Sequence, residues 1–97
     1  MFEIWLSDDG TIFVKGRLDA AQAGKAKAFL DSVTESCNID MGQLDYISSA
    51  GLGLLLATFK RLKDDGKELA LRNLNQHIFR IFHISGLDKV FNIEQGA

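Results

Sequence analysis

The sequence predicts a single α/β domain, residues 1–97, with a mixed sheet of four to five strands and helices packed on it. Two turn-linked strand patterns open the chain, and three helix patterns then alternate with strand patterns. The apolar share of 46% and the charged share of 25% are typical of a globular chain. At 97 residues the chain is long enough for one core, and we see no linker or repeat.

The first elements form a predicted hairpin. Phe2–Leu6 alternates apolar residues with Glu3 and Trp5, which is a strand pattern. Residues 7–10 end in Asp-Gly, a strong hairpin turn, and residues 11–15 form the returning strand. We expect residues 16–18 to leave the strand, and Asp19 to begin a helix that runs to about Val33. Asp19 with Gln22 resembles a capping box.

The remaining elements alternate regularly. They are a strand at 37–41, a loop at 42–47, a helix at 50–63, a strand at 68–72, a helix at 76–84 and a strand at 90–93. Asn75 is the predicted cap of the third helix, and Ser85-Gly86 its end. The order is therefore β-β-α-β-α-β-α-β, in which the crossovers join parallel strands.

Several classes of function are disfavoured by composition. The chain carries 11 basic and 13 acidic residues without a basic stripe, so we expect no nucleic acid partner. No apolar run approaches the roughly 20 residues that span a bilayer, and the N-terminus lacks a secretory pattern. The one cysteine favours a reducing, cytoplasmic setting.

No enzyme or metal constellation is complete. His77 and His83 lie six residues apart on one predicted helix and face different directions, and we expect His83 to be partly buried. Cys37 fits a small core residue better than a nucleophile. Gly51-Leu52-Gly53 is an incomplete phosphate-binding pattern. We therefore expect no catalytic residue, metal or cofactor, although a small nucleotide-binding enzyme built on that loop stays open.

Two serines, Ser48 and Ser49, lie where a loop becomes the second helix. Free backbone N–H groups and the helix dipole favour negative charge at such a position. A serine there is most often only a cap that stabilises the helix by about 1 kcal/mol. The same position also suits a phosphate.

The second helix has two informative faces. The predicted core side carries Leu52, Leu55, Leu56, Phe59 and Leu62. The opposite side, which we predict to contact a partner together with Ser48, carries Ala50, Gly53, Leu54, Ala57, Thr58 and Arg61. Small residues allow another protein's backbone to approach closely, although the same pattern also suits simple packing of a loop.

Three acids are expected near the serines. Asp19 follows the second strand, Asp40 lies near the end of the third, and Asp45 lies in the next loop. Ligands of open α/β sheets collect beyond the carboxyl ends of parallel strands. The acids could orient a kinase, its metal ion or the serine hydroxyl. For Asp19 a capping role fits better than these, for Asp45 a turn role fits as well, and Asp40 could simply face solvent.

The stretch from Asn38 to Gly53 resembles the signature of the STAS family, in particular of the bacterial anti-sigma factor antagonists. Gly16-Arg17-Leu18-Asp19-Ala20 resembles the family's loop after the second strand. Gly86-Leu87-Asp88-Lys89-Val90-Phe91 resembles its segment before the last strand. The likeness covers almost the whole chain in the right order.

The resemblance implies a partner switch without catalysis by the chain itself. The unmodified protein would bind an anti-sigma factor that is also a serine kinase, and phosphorylation of Ser49 would break the complex. A metal-dependent PP2C-type serine phosphatase would restore it. Ser49 matches the family's acceptor because it stands two residues before Gly51, and Ser48 is the alternative.

The sequence also departs from the family. Many antagonists have aspartate where this chain has Ser48, and Ser or Thr where it has Ala50. Members commonly continue into a C-terminal helix, whereas these 97 residues end just after the last predicted strand. A competing interpretation is a constitutive STAS interaction subunit, for example of a transport ATPase complex, in which Ser49 is only a cap.

Overall fold

The computed structural model describes residues 1–95 and confirms the predicted α/β class and element order. The elements are β1 (Phe2–Leu6), β2 (Ile12–Leu18), α1 (Ala23–Asp31), β3 (Cys37–Ile47), α2 (Ser49–Asp64), β4 (Leu69–Arg72), α3 (Gln76–Ile84) and β5 (Asn92–Glu94). A short 3-10 turn at Leu87–Lys89, absent from the prediction, precedes β5. Residues 96 and 97 of the predicted domain lie outside the described residues.

The sheet has five strands in the order β1-β2-β3-β4-β5. β1 pairs antiparallel with β2, and each later pair is parallel, as crossover connections require. The carboxyl ends of β2, β3 and β4 therefore lie at one edge of the sheet, where α1, α2 and α3 follow them. Ser48 and Ser49, between β3 and α2, lie at this edge.

The core lies between the helices and one face of the sheet. Buried side chains of all three helices join alternate residues of the strands in a single cluster. Its largest fully buried members are Phe82, Ile12, Leu18, Leu30, Ile39, Met41, Leu44, Leu55, Leu62, Leu69, Leu71 and Ile78. The other sheet face carries paired side chains, such as the stacked rings of Trp5 and Phe13 and the Arg17 guanidinium over Tyr46.

The predicted loop at 42–47 is wrong, because β3 continues to Ile47. Met41 and Leu44 are both buried although three positions separate them. The strand register shifts once between Phe13 and Lys15 and again between Gly16 and Arg17 of β2, so β3 carries two extra residues. These bulges broke the alternation that would have revealed a strand.

The end of β2 and the start of α1 also differ from expectation. Residues 16–18 remain in β2, where Gly16 has a φ of +93° and the Arg17 N–H donates to the Met1 carbonyl at 2.9 Å. Asp19 does not begin α1, which starts at Ala23 and ends at Asp31. The Asp19 carboxylate instead accepts from the Gln22 N–H at 3.2 Å, closing a turn before the helix.

The third helix is predicted correctly. Asn75 caps it by accepting the Ile78 N–H at 2.9 Å, and Gly86 follows it with a φ of +78°. The last strand is Asn92–Glu94 rather than 90–93. Across residues 1–95, no helix combines the length and the apolar character needed to cross a membrane.

Candidate functional site

The junction between β3 and α2 gives the two serines different roles. Ser48 has extended backbone angles and is the N-cap, because its Oγ accepts the Gly51 N–H at 3.2 Å. Its own N–H donates to the Leu18 carbonyl at 2.9 Å, which ties the junction to the end of β2. Ser48 is therefore committed to the fold through both backbone and side chain.

Ser49 is the first residue of α2 and is exposed. Within residues 1–95 its hydroxyl forms no hydrogen bond, and the cap position belongs to Ser48. The interpretation of Ser49 as only a cap is therefore wrong. The hydroxyl of Ser49 is free to react or to be contacted from solvent.

Gly51 holds this helix end close to the sheet. A Cβ at this buried position would lie 2.8 Å from Ile47 Cγ1, 2.9 Å from Leu18 Cγ and 3.0 Å from the Leu18 carbonyl oxygen. Any larger residue would push the first turn of α2 away from β2 and β3. This close approach accounts for Gly51 without a phosphate-cradling loop, and it fixes where Ser49 stands.

The exposed face of α2 begins at the residue after Ser49. Ala50, Gly53 and Ala57 are exposed, and a Cβ at Gly53 would meet nothing within 4 Å. Together they form a stripe of small residues at helical spacing, which we call the α2 stripe. Lys60 is exposed three residues further on and continues it. Sequence reasoning missed Lys60, although its i+3 spacing from Ala57 was a usable signal.

Three of the predicted partner-binding residues have other roles in the fold. Thr58 is only 4% exposed, and its hydroxyl donates to the Leu54 carbonyl at 3.0 Å, so its placement on the surface is wrong. Leu54 is half-buried and packs against the core. Arg61 is half-buried, and its guanidinium donates to the Leu30 carbonyl at the end of α1 at 2.9 Å. The surface available to a partner is therefore narrower than predicted.

On the core side, α2 is also less deeply buried than predicted. Leu55 and Leu62 are buried, while Leu52, Leu56 and Phe59 are half-buried. All three half-buried side chains still pack against the core cluster.

The three predicted acids do not all lie beside the serines. Asp19 is near, because the preceding residue Leu18 accepts the Ser48 N–H. Asp45 is exposed on β3, two residues before Ile47. Asp40 pairs with Phe13, five residues before Leu18 on β2, so it lies about 16 Å along the sheet from the junction.

Asp40 has a structural role of its own. Its carboxylate accepts the Gly42 N–H at 2.9 Å and the Asn73 side-chain amide at 2.8 Å, which steadies the first β3 bulge. No group of three or more His, Cys, Asp and Glu residues within the described chain is arranged to hold a metal ion.

The charges around Ser49 leave room for an anion. The first turn of α2 carries no acidic residue, whereas its last turn carries Arg61 and Lys63. The partial positive charge of the helix N-terminus is therefore not neutralised by a side chain of that turn. An added phosphate at Ser49 would meet favourable backbone N–H groups.

The other reactive side chains lie away from this site. His83 is exposed rather than partly buried, and its Nδ1 lies 2.7 Å from the Asp88 carboxylate. Cys37 is half-buried at the opposite end of β3, where burial raises the pKa of its thiol against a smaller effect of the Arg61 charge. A protonated thiol is a poor nucleophile.

Comparisons with known proteins agree on one family. The family model described as Mlab, STAS domain matches residues 3–94. The chain is 37% identical over 92 residues to the anti-sigma-B factor antagonist of Listeria monocytogenes, covering 91% of this chain and 81% of the relative. Both matches span the β3–α2 junction.

Solved structures show the same fold. A crystal structure of an anti-sigma factor antagonist from Mycobacterium paratuberculosis matches with a TM-score of 0.85 at 24% identity, covering 96% of this chain and 85% of the other. The Bacillus cell fate determinant SpoIIAA in its phosphorylated form matches with a TM-score of 0.72 at 20% identity, covering 100% and 92%.

Proposed function

Because the chain belongs to the STAS domain family, we propose that it is an anti-sigma factor antagonist that works by partner switching. Unmodified, it binds an anti-sigma factor that is also a serine kinase. Phosphorylation of Ser49 ends that binding, and a PP2C-type serine phosphatase restores it. The proposal rests on the name of the Listeria relative, which is 37% identical over nearly the whole chain.

One observation carries the assignment to Ser49. Its hydroxyl is exposed and unbonded within the described residues, while the neighbouring Ser48 performs the capping that the helix needs. A kinase could therefore modify Ser49 without breaking any hydrogen bond of the fold. Modification of Ser48 would remove the cap, so Ser49 is the better acceptor.

The added phosphate need not change the fold. A phosphoserine carries about −1.5 to −2 charges at neutral pH. At the first position of α2 this charge faces the positive end of the helix dipole, which stabilises it. The switch therefore acts at the surface.

Loss of binding follows from where that charge stands. Ser49 directly precedes Ala50, the first residue of the α2 stripe, where small side chains allow a partner to approach the helix backbone closely. A bulky dianion there would have to lose its hydration on binding and would repel acidic groups opposite it. Both effects weaken the complex.

In this scheme the chain is a substrate and a ligand, with no catalytic residue, metal or cofactor of its own. The kinase supplies the nucleotide and its metal ion, and the acids of this chain are not required for the chemistry. Asp19 lies beside the β3–α2 junction, where it can contact the kinase. The switch operates in the cytoplasm, as the sequence predicts.

The experiment is phosphorylation followed by intact mass measurement. The protein is incubated with ATP and each candidate anti-sigma factor kinase of the same genome, and the modified peptide is identified by fragmentation. We expect one phosphate on wild type and on Ser48→Ala, and none on Ser49→Ala. A phosphate on Ser48, or on Ser49→Ala, would contradict the assignment.

The constitutive interaction subunit remains the second candidate, favoured by two departures from the antagonist pattern. Ser48 replaces an aspartate and Ala50 replaces Ser or Thr next to the acceptor. If no kinase of the genome modifies Ser49 while the protein still binds a partner, this second function is supported.

A further inference from the structure

The outer edge of β1 carries a set of unused backbone groups. Arg17 N–H donates to the Met1 carbonyl, and the Ser7 N–H donates to the Thr11 carbonyl, so odd-numbered residues of β1 face β2. The backbone groups of Phe2, Ile4 and Leu6 therefore point away from the sheet. Lys25 of α1 donates to the Phe2 carbonyl at 2.9 Å, which leaves Ile4 and Leu6 with open groups at the edge.

Apolar side chains are exposed along the same strand. Among the described residues the exposed large apolar side chains are Met1, Trp5, Leu6, Ile84 and Val90. Three of these five belong to β1 or immediately precede it. Leu6 is 60% exposed on the core side of the strand, and Trp5 is 37% exposed on the other side. An edge strand that exposes both open backbone groups and apolar side chains is a site of strand pairing.

We propose that two copies of this chain pair through β1, antiparallel, about a two-fold axis that passes between the two Trp5 residues. In that register Ile4 faces the partner's Leu6, and Leu6 faces the partner's Ile4. The open N–H and carbonyl groups of both residues then form four hydrogen bonds across the axis. Each open N–H of one copy thus faces an open carbonyl of the other copy.

This register also fits the Lys25 contact and the charges. Phe2, whose carbonyl Lys25 occupies, falls beyond the paired residues and opposite the partner's Asp8. Asp8 is exposed, and no ion pair within residues 1–95 includes it. The Lys25 ammonium therefore meets an opposite charge twice in the dimer. The alternative two-fold axis at Ile4 would require the Phe2 carbonyl that Lys25 already binds.

The side chains are compatible with this pairing. The two Trp5 residues are directly opposite in a non-hydrogen-bonded pair, where Cβ atoms lie about 4.5–5.5 Å apart. Glu3 faces the partner's Ser7, so the two Glu3 carboxylates do not lie opposite each other. Leu6 covers the partner's Ile4 on the core side. The dimer is a ten-stranded sheet that does not use α2, so it is independent of the proposed switch.

The first test is the solution mass of the unmodified chain as a function of concentration. Sedimentation equilibrium should show the mass rising from 10.7 kDa towards twice that value. Trp5 fluorescence should change over the same concentration range, since it is the one tryptophan of the chain. A mass that stays at 10.7 kDa throughout would overturn the proposal.

A matched pair of variants separates backbone pairing from apolar contact. Leu6→Pro removes an outward N–H that β2 does not use, and proline is tolerated at such edge positions. Across the two-fold axis two hydrogen bonds are lost, so the dissociation constant should rise roughly tenfold. Leu6→Ala keeps those bonds and should have a smaller effect. Equal association of Leu6→Pro and wild type would contradict strand pairing.

Disulfide trapping tests the register itself. In a Cys37→Ala background, Trp5→Cys places two thiols directly opposite each other at a spacing that a disulfide accepts. Glu3→Cys leaves its two thiols four residues apart along the strands, about 13 Å, and should not cross-link. Cross-linking of both variants alike, or of Glu3→Cys alone, would overturn the register. Circular dichroism confirms that each variant is folded.

Discussion

The Ser48 hydroxyl accepts the Gly51 N–H at 3.2 Å and so caps α2, which leaves the adjacent Ser49 hydroxyl without a structural task. Two neighbouring residues of the same type thus divide two roles between them. One secures the helix end, and the other stands exposed at its rim. The division allows a phosphate to be added to the second serine while the cap is kept.

Removing the cap should cost stability and leave the acceptor intact. We expect Ser48→Ala to lower the free energy of unfolding by about 1 kcal/mol, because the Gly51 N–H loses its partner. Ser49→Ala should change it by less than about 0.5 kcal/mol, as expected for an exposed side chain without contacts. Urea denaturation of both variants checks this. The opposite ranking would show that Ser49 is the cap.

The two glycines of α2 should respond in opposite directions to alanine. Gly51→Ala places a methyl group 3.0 Å from the Leu18 carbonyl oxygen and should destabilise the fold by roughly 1–3 kcal/mol. Gly53→Ala meets nothing and should stabilise it by roughly 0.5–1 kcal/mol, because alanine favours the helix. Thermal denaturation measures both. Tolerance of alanine at Gly51 would contradict the close helix–sheet contact.

The α2 stripe should be sensitive to a large charged side chain. Ala57→Glu puts a carboxylate where we propose a close contact, and it should weaken binding to the anti-sigma factor at least about tenfold. Ala28→Glu, the same change at an exposed position of α1, is the matched control and should have little effect. Titration calorimetry compares the two. Equal affinity of both variants would remove the stripe from the interface.

Asp88 should contribute to stability in a pH-dependent way. Its pKa lies below the ordinary value because the His83 side chain hydrogen-bonds to the carboxylate, with a smaller opposing effect of burial. A lowered folded-state pKa means that the stabilisation is complete above the unfolded-state pKa, about 3.9. It is lost as the pH falls through the folded-state pKa.

The measurement is urea unfolding of wild type and Asp88→Asn from neutral pH to about pH 2, below the reference pKa of aspartate. The stability difference between them should shrink as the pH falls. In His83→Ala, a carboxyl NMR titration should show the pKa of Asp88 moving back up. An unchanged Asp88 pKa in that variant would contradict the assigned cause.

The sequence was sufficient for elements whose local signals agree with the tertiary structure. α3 is an example, because Asn75 supplies its cap and Gly86 its end, both within a few residues of the helix. β3 could not be predicted in full, because its two bulges shift the buried side chains out of alternation. The start of α1 failed because the Asp19 carboxylate closes a turn with the same hydrogen-bond spacing as a helix cap.

The site was predictable in position but less so in detail. The residue pattern placed both serines where the second helix begins, but it could not tell which of them would cap the helix. Helical spacing put Thr58 on the side of α2 that we predicted to contact a partner. The fold buries it instead, and its hydroxyl donates to the Leu54 carbonyl in the preceding turn. Arg61 was placed there too, but it reaches across to the end of α1. A helical wheel cannot show which neighbouring element covers a face.

The most direct test of the switch is the affinity of the anti-sigma factor for two forms of this protein, unmodified and phosphorylated on Ser49. We predict tight binding by the unmodified form and by Ser49→Ala, and loss of at least two orders of magnitude in affinity on phosphorylation, about 2.7 kcal/mol. Circular dichroism spectra of the two forms should be the same. Equal affinity of the phosphorylated and unmodified forms would contradict the switch.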